Sequence, residues 1–331
     1  MNFELRIFGH SKFAIRNPQF EIFVSTNSLR LPSFAKINWL LRILGKRTNG
    51  YHEILTVLQT ISLADEITFD LRENNEIVLH CDDAAIPTDG SNLIIKAALA
   101  LRERLQNTPG VEIRLSKRIP AQGGLGGASS NAAVALVTLN FLWHGGLKRD
   151  ELMQTAARLG ADVPFFLAGG RCLATGIGTN ISELPDAPKQ HLIIVTPNTA
   201  VSTANAYASL NSASLTSSDP DSILSSSLAE PVSADSGQWP LRNDFEGVIF
   251  EIEPEIGRVK VALLEAGARG ALLAGSGSSV FGVFENETAR DRAVERLRCE
   301  AGWRVFSCET LGRAEYFSAL NSSGFPLFTL S

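Results

Sequence analysis

The sequence predicts an α+β protein built from two linked units. Three observations carry that expectation. Residues 66–71, 76–81 and 111–119 alternate apolar and polar side chains, as half-exposed strands of a mixed or antiparallel sheet do. Runs with helical apolar spacing lie between and after them. The last third orders helix, two strands, helix and strand, which suits a ferredoxin-like half. A chain of 331 residues can bury one large core or two linked ones.

Taken in order, residues 1–30 form an unassigned extension. Their longest apolar run is too short for a signal-peptide core, so they read as a tail, with an added edge strand as the open alternative. Residues 31–44 hold an apolar-rich strand around Ala35-Lys36-Ile37-Asn38-Trp39-Leu40. Lys36 and Asn38 are two apart and share one strand face, opposite Ile37. A turn-rich loop, 45–50, precedes Tyr51 and His52. Residues 93–105 predict a helix with Arg102, Glu103 and Arg104 outside; 131–143 and 151–159 predict two more, stopped at Gly145-Gly146 and Gly160. A short apolar strand at 192–196 ends at Pro197. Residues 209–235 are rich in serine, with interspersed Asp and Pro, and read as a loop or weakly ordered insertion. Helices at 256–265 and 288–300, and strands at 271–274, 280–284 and 304–309, complete the chain. No internal repeat is present.

Composition narrows the function. The net charge of −5 comes without a basic stripe and gives no support for nucleic-acid binding. No run of 18 apolar residues exists to span a membrane. Cys81, Cys172, Cys299 and Cys308 are scattered without metal-ligand spacing, as in reduced proteins of the cytoplasm. His10, His80, His144 and His191 have no partner pattern. The expectation is a globular enzyme of a reducing, cytoplasmic compartment, with monomer and homodimer both left open.

The chemistry concentrates in Pro120-Ala121-Gln122-Gly123-Gly124-Leu125-Gly126-Gly127-Ala128-Ser129-Ser130-Asn131. Glycines let backbone N–H groups converge, and the following helix start adds unpaired N–H groups and the positive end of its dipole. Ser129 and Ser130 can cap the helix or reach phosphate oxygens. The plain alternative is a serine-capped turn without a ligand; the glycine density favours phosphate. No lysine follows the glycines as a P-loop requires. The half-exposed strand before them does not suit a dinucleotide loop. The His-Arg-Asp and Asp-Phe-Gly elements of protein kinases are missing.

This loop resembles the phosphate loop of the GHMP small-molecule kinases. Four further segments fit that family in order: Ala35-Lys36-Ile37-Asn38 with Gly50-Tyr51-His52, Gly160-Ala161-Asp162-Val163-Pro164, Arg242-Asn243-Asp244-Phe245-Glu246, and Leu273-Ala274-Gly275-Ser276-Gly277-Ser278-Ser279. The resemblance runs from about residue 31 to 319. It implies a two-domain GHMP kinase fold, with a ribosomal protein S5 domain 2-like ATP-binding domain over 31–173 and a ferredoxin-like domain over 174–318. The second would carry the serine-rich insertion at about 209–239, and a tail would follow over 319–331.

The resemblance further implies ATP as phosphoryl donor, held by Pro120 through Ser130, with Mg²⁺ carried by the nucleotide. Lys36 and Asp162 would be the catalytic pair. Asn38, Tyr51 and His52 would meet the substrate, with Tyr207, Gly275 and Ser276 as further contacts. Within the family, Ala35-Lys36-Ile37-Asn38 and Gly50-Tyr51-His52 are most similar to the branch that phosphorylates the 2-hydroxyl of a CDP-linked methylerythritol. Homoserine- or mevalonate-type members and an inactive nucleotide-binding homologue are the alternatives. From the residues alone, a turn cap before a strand is the favoured reading of Asp162 and an exposed strand lysine that of Lys36, while Tyr51 reads equally as a core tyrosine beside a surface histidine; the matching motifs reverse the first two. Gln122 and Ala128 stand where the family usually has smaller residues, often glycine. The serine-rich stretch is longer than the family's pattern, and residues 1–30 match nothing in it.

Overall fold

A computed structural model describes residues 5–8, 12–17, 20–25, 28–48, 50–199, 201–210 and 241–321. Most of the serine-rich stretch and most of the expected tail therefore lie outside the described residues. Strands β1 (Leu5–Phe8), β2 (Lys12–Asn17) and β3 (Phe20–Ser25) pair antiparallel in a three-stranded sheet of their own. The N-terminal extension thus supplies strands rather than a ragged tail; among the described residues β1–β3 do not pair with the main sheet, whereas residues 28–30 already belong to its first strand.

The main sheet is organised by a long hairpin of β4 (Ser28–Lys46) and β5 (His52–Arg72). Strand β5 is longer than its alternating part, residues 66–71, predicts. Residues 54–61 are buried on both faces, so they show no polar–apolar alternation to read. Along its length β5 changes partners. Its residues 66–72 pair with β7 (Gly110–Ser116), and its residues 54–59 pair with β8 (Arg171–Gly176). Strand β6 (Ile77–Cys81) lies parallel to β7, and β9 (Asn180–Glu183) forms a hairpin with β8. The mixed sheet expected from residues 111–119 is present.

Four helices cover one face: α1 (Leu93–Arg102), α2 (Gly127–Leu142), α3 (Arg149–Leu159) and α4 (Val163–Ala168). Asn92 caps α1 by accepting from the Ile94 N–H at 2.9 Å. Helix α2 is buried on nearly every side, which explains its Ala-, Val- and Leu-rich sequence without an amphipathic stripe. Its core neighbours include Phe69, Ile113, Phe165 and Phe166.

Beyond β9 the chain builds a second sheet. Strand β10 (His191–Pro197) is followed by α5 (Thr203–Ala208). The two-residue β11 (Arg242–Asn243) returns to lie parallel to β4 at Leu40 and Leu41. Helices α6 (Glu246–Ile252) and α7 (Pro254–Glu265), strands β12 (Gly270–Leu273) and β13 (Val280–Phe284), α8 (Glu287–Leu297) and β14 (Trp303–Glu309) come next. The four-stranded order is β12-β13-β10-β14, all antiparallel, so the last third has the expected ferredoxin-like order. Ile37, Leu55 and Val57 of the main sheet share a core with Leu192, Ile194 and Phe281 of the second. The main sheet is therefore sandwiched between helices and the second sheet.

The four cysteines are free. Burial pushes the Cys172 thiol up to about 11 and the Cys308 thiol up to about 12, so both stay protonated and unreactive at neutral pH. Helix α9 (Arg313–Leu320) crosses back and inserts Tyr316, Phe317 and Leu320 into the first core. The Tyr316 hydroxyl donates to the Phe166 carbonyl at 2.6 Å, satisfying an acceptor in short helix α4. Replacing Tyr316 with Phe leaves that buried acceptor unpaired. We expect a loss of about 1–2 kcal/mol, read as a lowered melting temperature; an unchanged melting temperature would show the bond to be dispensable.

Candidate active site

The glycine-rich loop runs from β7 into α2 and lies against the middle of β4, at Lys36. Leu125 is buried and anchors it in the core shared by the two sheets. The Lys36 backbone N–H donates to the Leu125 carbonyl at 2.9 Å, tying the loop to β4. From the other side, the Ser278 and Ser279 N–H groups donate to the carbonyls of Gln122 and Gly123, each at 3.2 Å. The loop is thus clasped by the Gly275–Ser279 turn between β12 and β13.

Two positions show why glycine is required. At Gly124, φ is +73° and a Cβ would run into the Ala274 carbonyl. At Gly126, φ is +71°; a Cβ would stand 2.9 Å from the Phe166 ring and 3.0 Å from Lys36 Cγ.

Helix α2 starts at Gly127, four residues before the predicted Asn131. Ala128, Ser129 and Ser130 consequently sit in its first turns. The helix has no side-chain cap. Ser130 is fully buried and its hydroxyl pairs with that of Ser33 at 2.8 Å, so it turns inward and not toward the loop's outer side. Ala121, Gln122 and Ala128 are exposed, Pro120 and Gly123 are buried, and Ser129 is half-buried.

Lys36 and Asn38 share a face, as their spacing predicts. Lys36 is no exposed strand lysine: its side chain is only 4% accessible. Its ammonium donates to Asn38 Oδ1 at 2.9 Å and lies 3.5 Å from Asp162 Oδ2. The Asn38 amide in turn donates to Thr56 Oγ1 at 2.8 Å, and the Thr56 hydroxyl donates to the Leu40 carbonyl at 2.7 Å. Asp162 occupies the position just before α4, and its side chain makes no capping bond. The chain enters a helix after Asp162, not the strand that a turn-cap reading expects. The run Val163–Ala168 is buried throughout, so no periodicity marks it as helical.

The third group of residues stands beside this pair. The His52 and Tyr207 rings stack with centroids 4.8 Å apart and planes 23° from parallel. Phe245 meets Tyr207 edge-on at 4.9 Å. Tyr51 is 61% exposed. Burial holds His52 below the usual imidazole range, and the Lys46 charge adds to the shift, so the ring is neutral at pH 7. Burial pushes the Tyr207 phenol up to about 12, with the nearby Asp162 carboxylate adding to it. Gly275 packs against the lysine: a Cβ there would stand 3.2 Å from Lys36 Nζ. Ser276 is buried in the same turn.

Residues 92–170 match the family model "GHMP kinases N terminal domain", and residues 226–302 match "GHMP kinases C terminal". The chain is 41% identical over 275 residues to 4-diphosphocytidyl-2-C-methyl-D-erythritol kinase of Syntrophotalea carbinolica, covering 83% of this chain and 96% of that protein. It belongs to the 4-diphosphocytidyl-2-C-methyl-D-erythritol kinase family of GHMP kinases. A crystal structure of 4-(cytidine 5'-diphospho)-2C-methyl-D-erythritol kinase superposes with a TM-score of 0.72 at 33% identity, covering 86% of this chain and all (100%) of that one. Homoserine kinase from Cytophaga hutchinsonii, at 20% identity and a TM-score of 0.65, covers 87% of this chain and 96% of its own and shares the fold.

Sequence reasoning alone gave no role to several residues that hold this candidate site together. Asn243 donates to the carbonyls of Leu273 and Gly275 at 2.9 and 2.7 Å and accepts from the Phe245 N–H at 3.0 Å. It thereby fixes the turn against Lys36 and the aromatic edge behind Tyr207. Asp65, buried, accepts from the N–H groups of Arg118 and Ile119 at 2.8 and 2.7 Å and from Lys117 Nζ at 2.9 Å. That carboxylate locks the entry to the loop. Lys117 Nζ also lies 3.3 Å from where a Gly127 Cβ would stand, which puts a second buried ammonium beside the start of α2. The Asn243 segment was visible as a motif; Asp65 and Lys117 carried no local signal.

Gly126→Val places a branched side chain between Phe166 and Lys36. We expect ATP affinity to fall at least about tenfold because the loop can no longer close on the strand. Retained affinity, measured by calorimetry on folded protein, would separate the loop from nucleotide binding.

Proposed function

We propose that this chain transfers the γ-phosphoryl group of ATP to the 2-hydroxyl of 4-diphosphocytidyl-2-C-methyl-D-erythritol, giving the 2-phosphate and ADP. The observation that carries the reading is the Lys36–Asp162 contact at 3.5 Å, with the Lys36 stem packed against Gly126 of the loop. Phosphoryl transfer asks a protein for alignment, positive charge and a group to take the acceptor's proton. The loop backbone and the start of α2 supply N–H donors for the triphosphate. Asp162, at 36% exposure, is open to an incoming alcohol and accepts its proton as the oxygen attacks phosphorus. The Lys36 ammonium faces the charge that builds on the transferring group. Mg²⁺ enters with the nucleotide and takes most of its ligands from phosphate and water.

The neutral His52–Tyr207 stack suits a flat, uncharged cytosine better than it suits an aliphatic acid such as homoserine or mevalonate. Asn38, Tyr51, Gly275 and Ser276 complete the acceptor side of this reading. No helix among the described residues is long and apolar enough to cross a membrane. A cytoplasmic enzyme acting on this small molecule, as monomer or homodimer and without nucleic acid, fits the composition.

The decisive assay is ADP release with ATP, Mg²⁺ and the CDP-alcohol, beside homoserine and mevalonate. Turnover confined to the CDP-alcohol is expected; turnover of either control instead would overturn the substrate. Asp162→Asn should lower kcat roughly 10²- to 10⁴-fold while ATP affinity stays near wild type. A variant at full rate would remove Asp162 from proton transfer. His52→Ala should raise KM for the CDP-alcohol about tenfold, equivalent to ~1.4 kcal/mol of lost stacking, with KM for ATP unchanged. A rise in both would instead indicate a general loosening of the site.

A further inference from the structure

The chain Lys36, Asn38, Thr56 has a fixed direction, and that direction is set at its far end. The Thr56 hydroxyl has one proton, and the Leu40 carbonyl takes it at 2.7 Å. What remains for Asn38 is a lone pair. The Asn38 amide must therefore present its NH₂ group to Thr56, as the 2.8 Å contact has it, and its oxygen to Lys36, 2.9 Å away. With the amide turned the other way, an NH₂ group would face an ammonium and an oxygen would face a lone pair. All three side chains are buried: Lys36 4%, Asn38 2% and Thr56 3% accessible. Water is not at hand to make up for a wrong orientation.

The backbone explains why this device is needed. Strand β4 bulges between Asn38 and Leu40, where Trp39 is the extra residue opposite Leu58 and Val57. A bulge breaks the ladder and re-aims the side chains beside it. Thr56 bonds to both sides of the break, through the Leu40 carbonyl and the Asn38 side chain. Its β-branch restricts χ1, so the hydroxyl is held ready. Asp162, by contrast, comes from the segment before α4 and shares none of these bonds.

The geometry points to Thr56 as a positioning residue for phosphoryl transfer: it orients the Asn38 amide so that the Lys36 ammonium is held toward Asp162. This rests on the catalytic role of Lys36 in the proposed reaction. Thr56 touches no reacting group and acts only through Asn38.

Thr56→Val keeps the shape and removes both bonds. It should lower kcat roughly 10- to 100-fold, the scale of a small misplacement at a reacting centre, with KM for ATP within about twofold. Thr56→Ser restores the hydroxyl and should recover most of the rate. On an Asn38→Ala background, Thr56→Val should cost no further kcat. Wild-type kcat in Thr56→Val overturns the inference, as does a Thr56→Ser loss as deep as that of Val. Multiplicative losses in the double variant overturn it too, because Thr56 would then act independently of Asn38. Should Thr56→Val fail to fold, Thr56→Ala takes its place with the same expected and overturning values of kcat, and the melting temperatures of the alanine and serine variants are read beside the rates. A serine variant with wild-type melting temperature and full kcat supports positioning; one with a lowered melting temperature and lost kcat refutes it. Lys36→Ala is assayed alongside. Full turnover there sinks the reading of Lys36 itself, whereas lost turnover there with a normal Thr56→Val sinks only the role of Thr56.

Discussion

Two stretches of backbone approach each other at Gly124 with no room for a side chain, and the whole site depends on that closeness. The loop after β7 and the turn between β12 and β13 come from different sheets. They are joined by main-chain bonds from Ser278 and Ser279 to Gln122 and Gly123. Backbone bonds of this kind carry no side-chain entropy cost and leave little slack. Neither sheet holds the complete site: the main sheet supplies Lys36, Asn38 and the loop, and the second supplies the turn that packs on the lysine. The Thr196 and Ser279 hydroxyls, 2.7 Å apart, secure the turn to β10 from behind.

Burying two ammonium groups beside one loop carries a desolvation cost that only specific partners offset. Lys117 is offset by the Asp65 carboxylate, itself saturated by two further N–H groups. Lys36 has a neutral amide and a partly exposed carboxylate at 3.5 Å, a weaker arrangement. The difference is chemically apt. The first pair is closed and structural. The second leaves its carboxylate partly open, as the proposed transfer to an alcohol requires.

Much of this was legible in the sequence because the signals were local. Four glycines crowded into residues 123–127 announce converging N–H groups whatever the fold around them. The two-residue spacing of Lys36 and Asn38 gave their shared face once a strand was assumed. Other features had no local signature. Residues 54–61 of β5 lie between two layers, so the alternation that reveals half-exposed strands is missing. Strand β11 is two residues long, too short for any pattern. Helix α4 looks like any buried apolar run. The Lys36–Asp162 contact joins distant segments, and only the resemblance to a known family paired them. The His52–Tyr207 stack likewise depends on β5 meeting α5, which no single segment encodes.

The return of α9 to the first core has a consequence for how the protein is made. Tyr316, Phe317 and Leu320 fill a core whose other members lie between Leu29 and Ala174. On a ribosome, that core lacks its last pieces until nearly every described residue has been synthesised. The intervening residues must leave the exit tunnel while Phe34 still awaits the ring of Tyr316 and the Phe166 carbonyl awaits its hydroxyl. Domains usually fold as units from the N-terminus during translation. Here the first unit to emerge is the last to be sealed, and its exposed apolar surface in the interim is a natural substrate for chaperones.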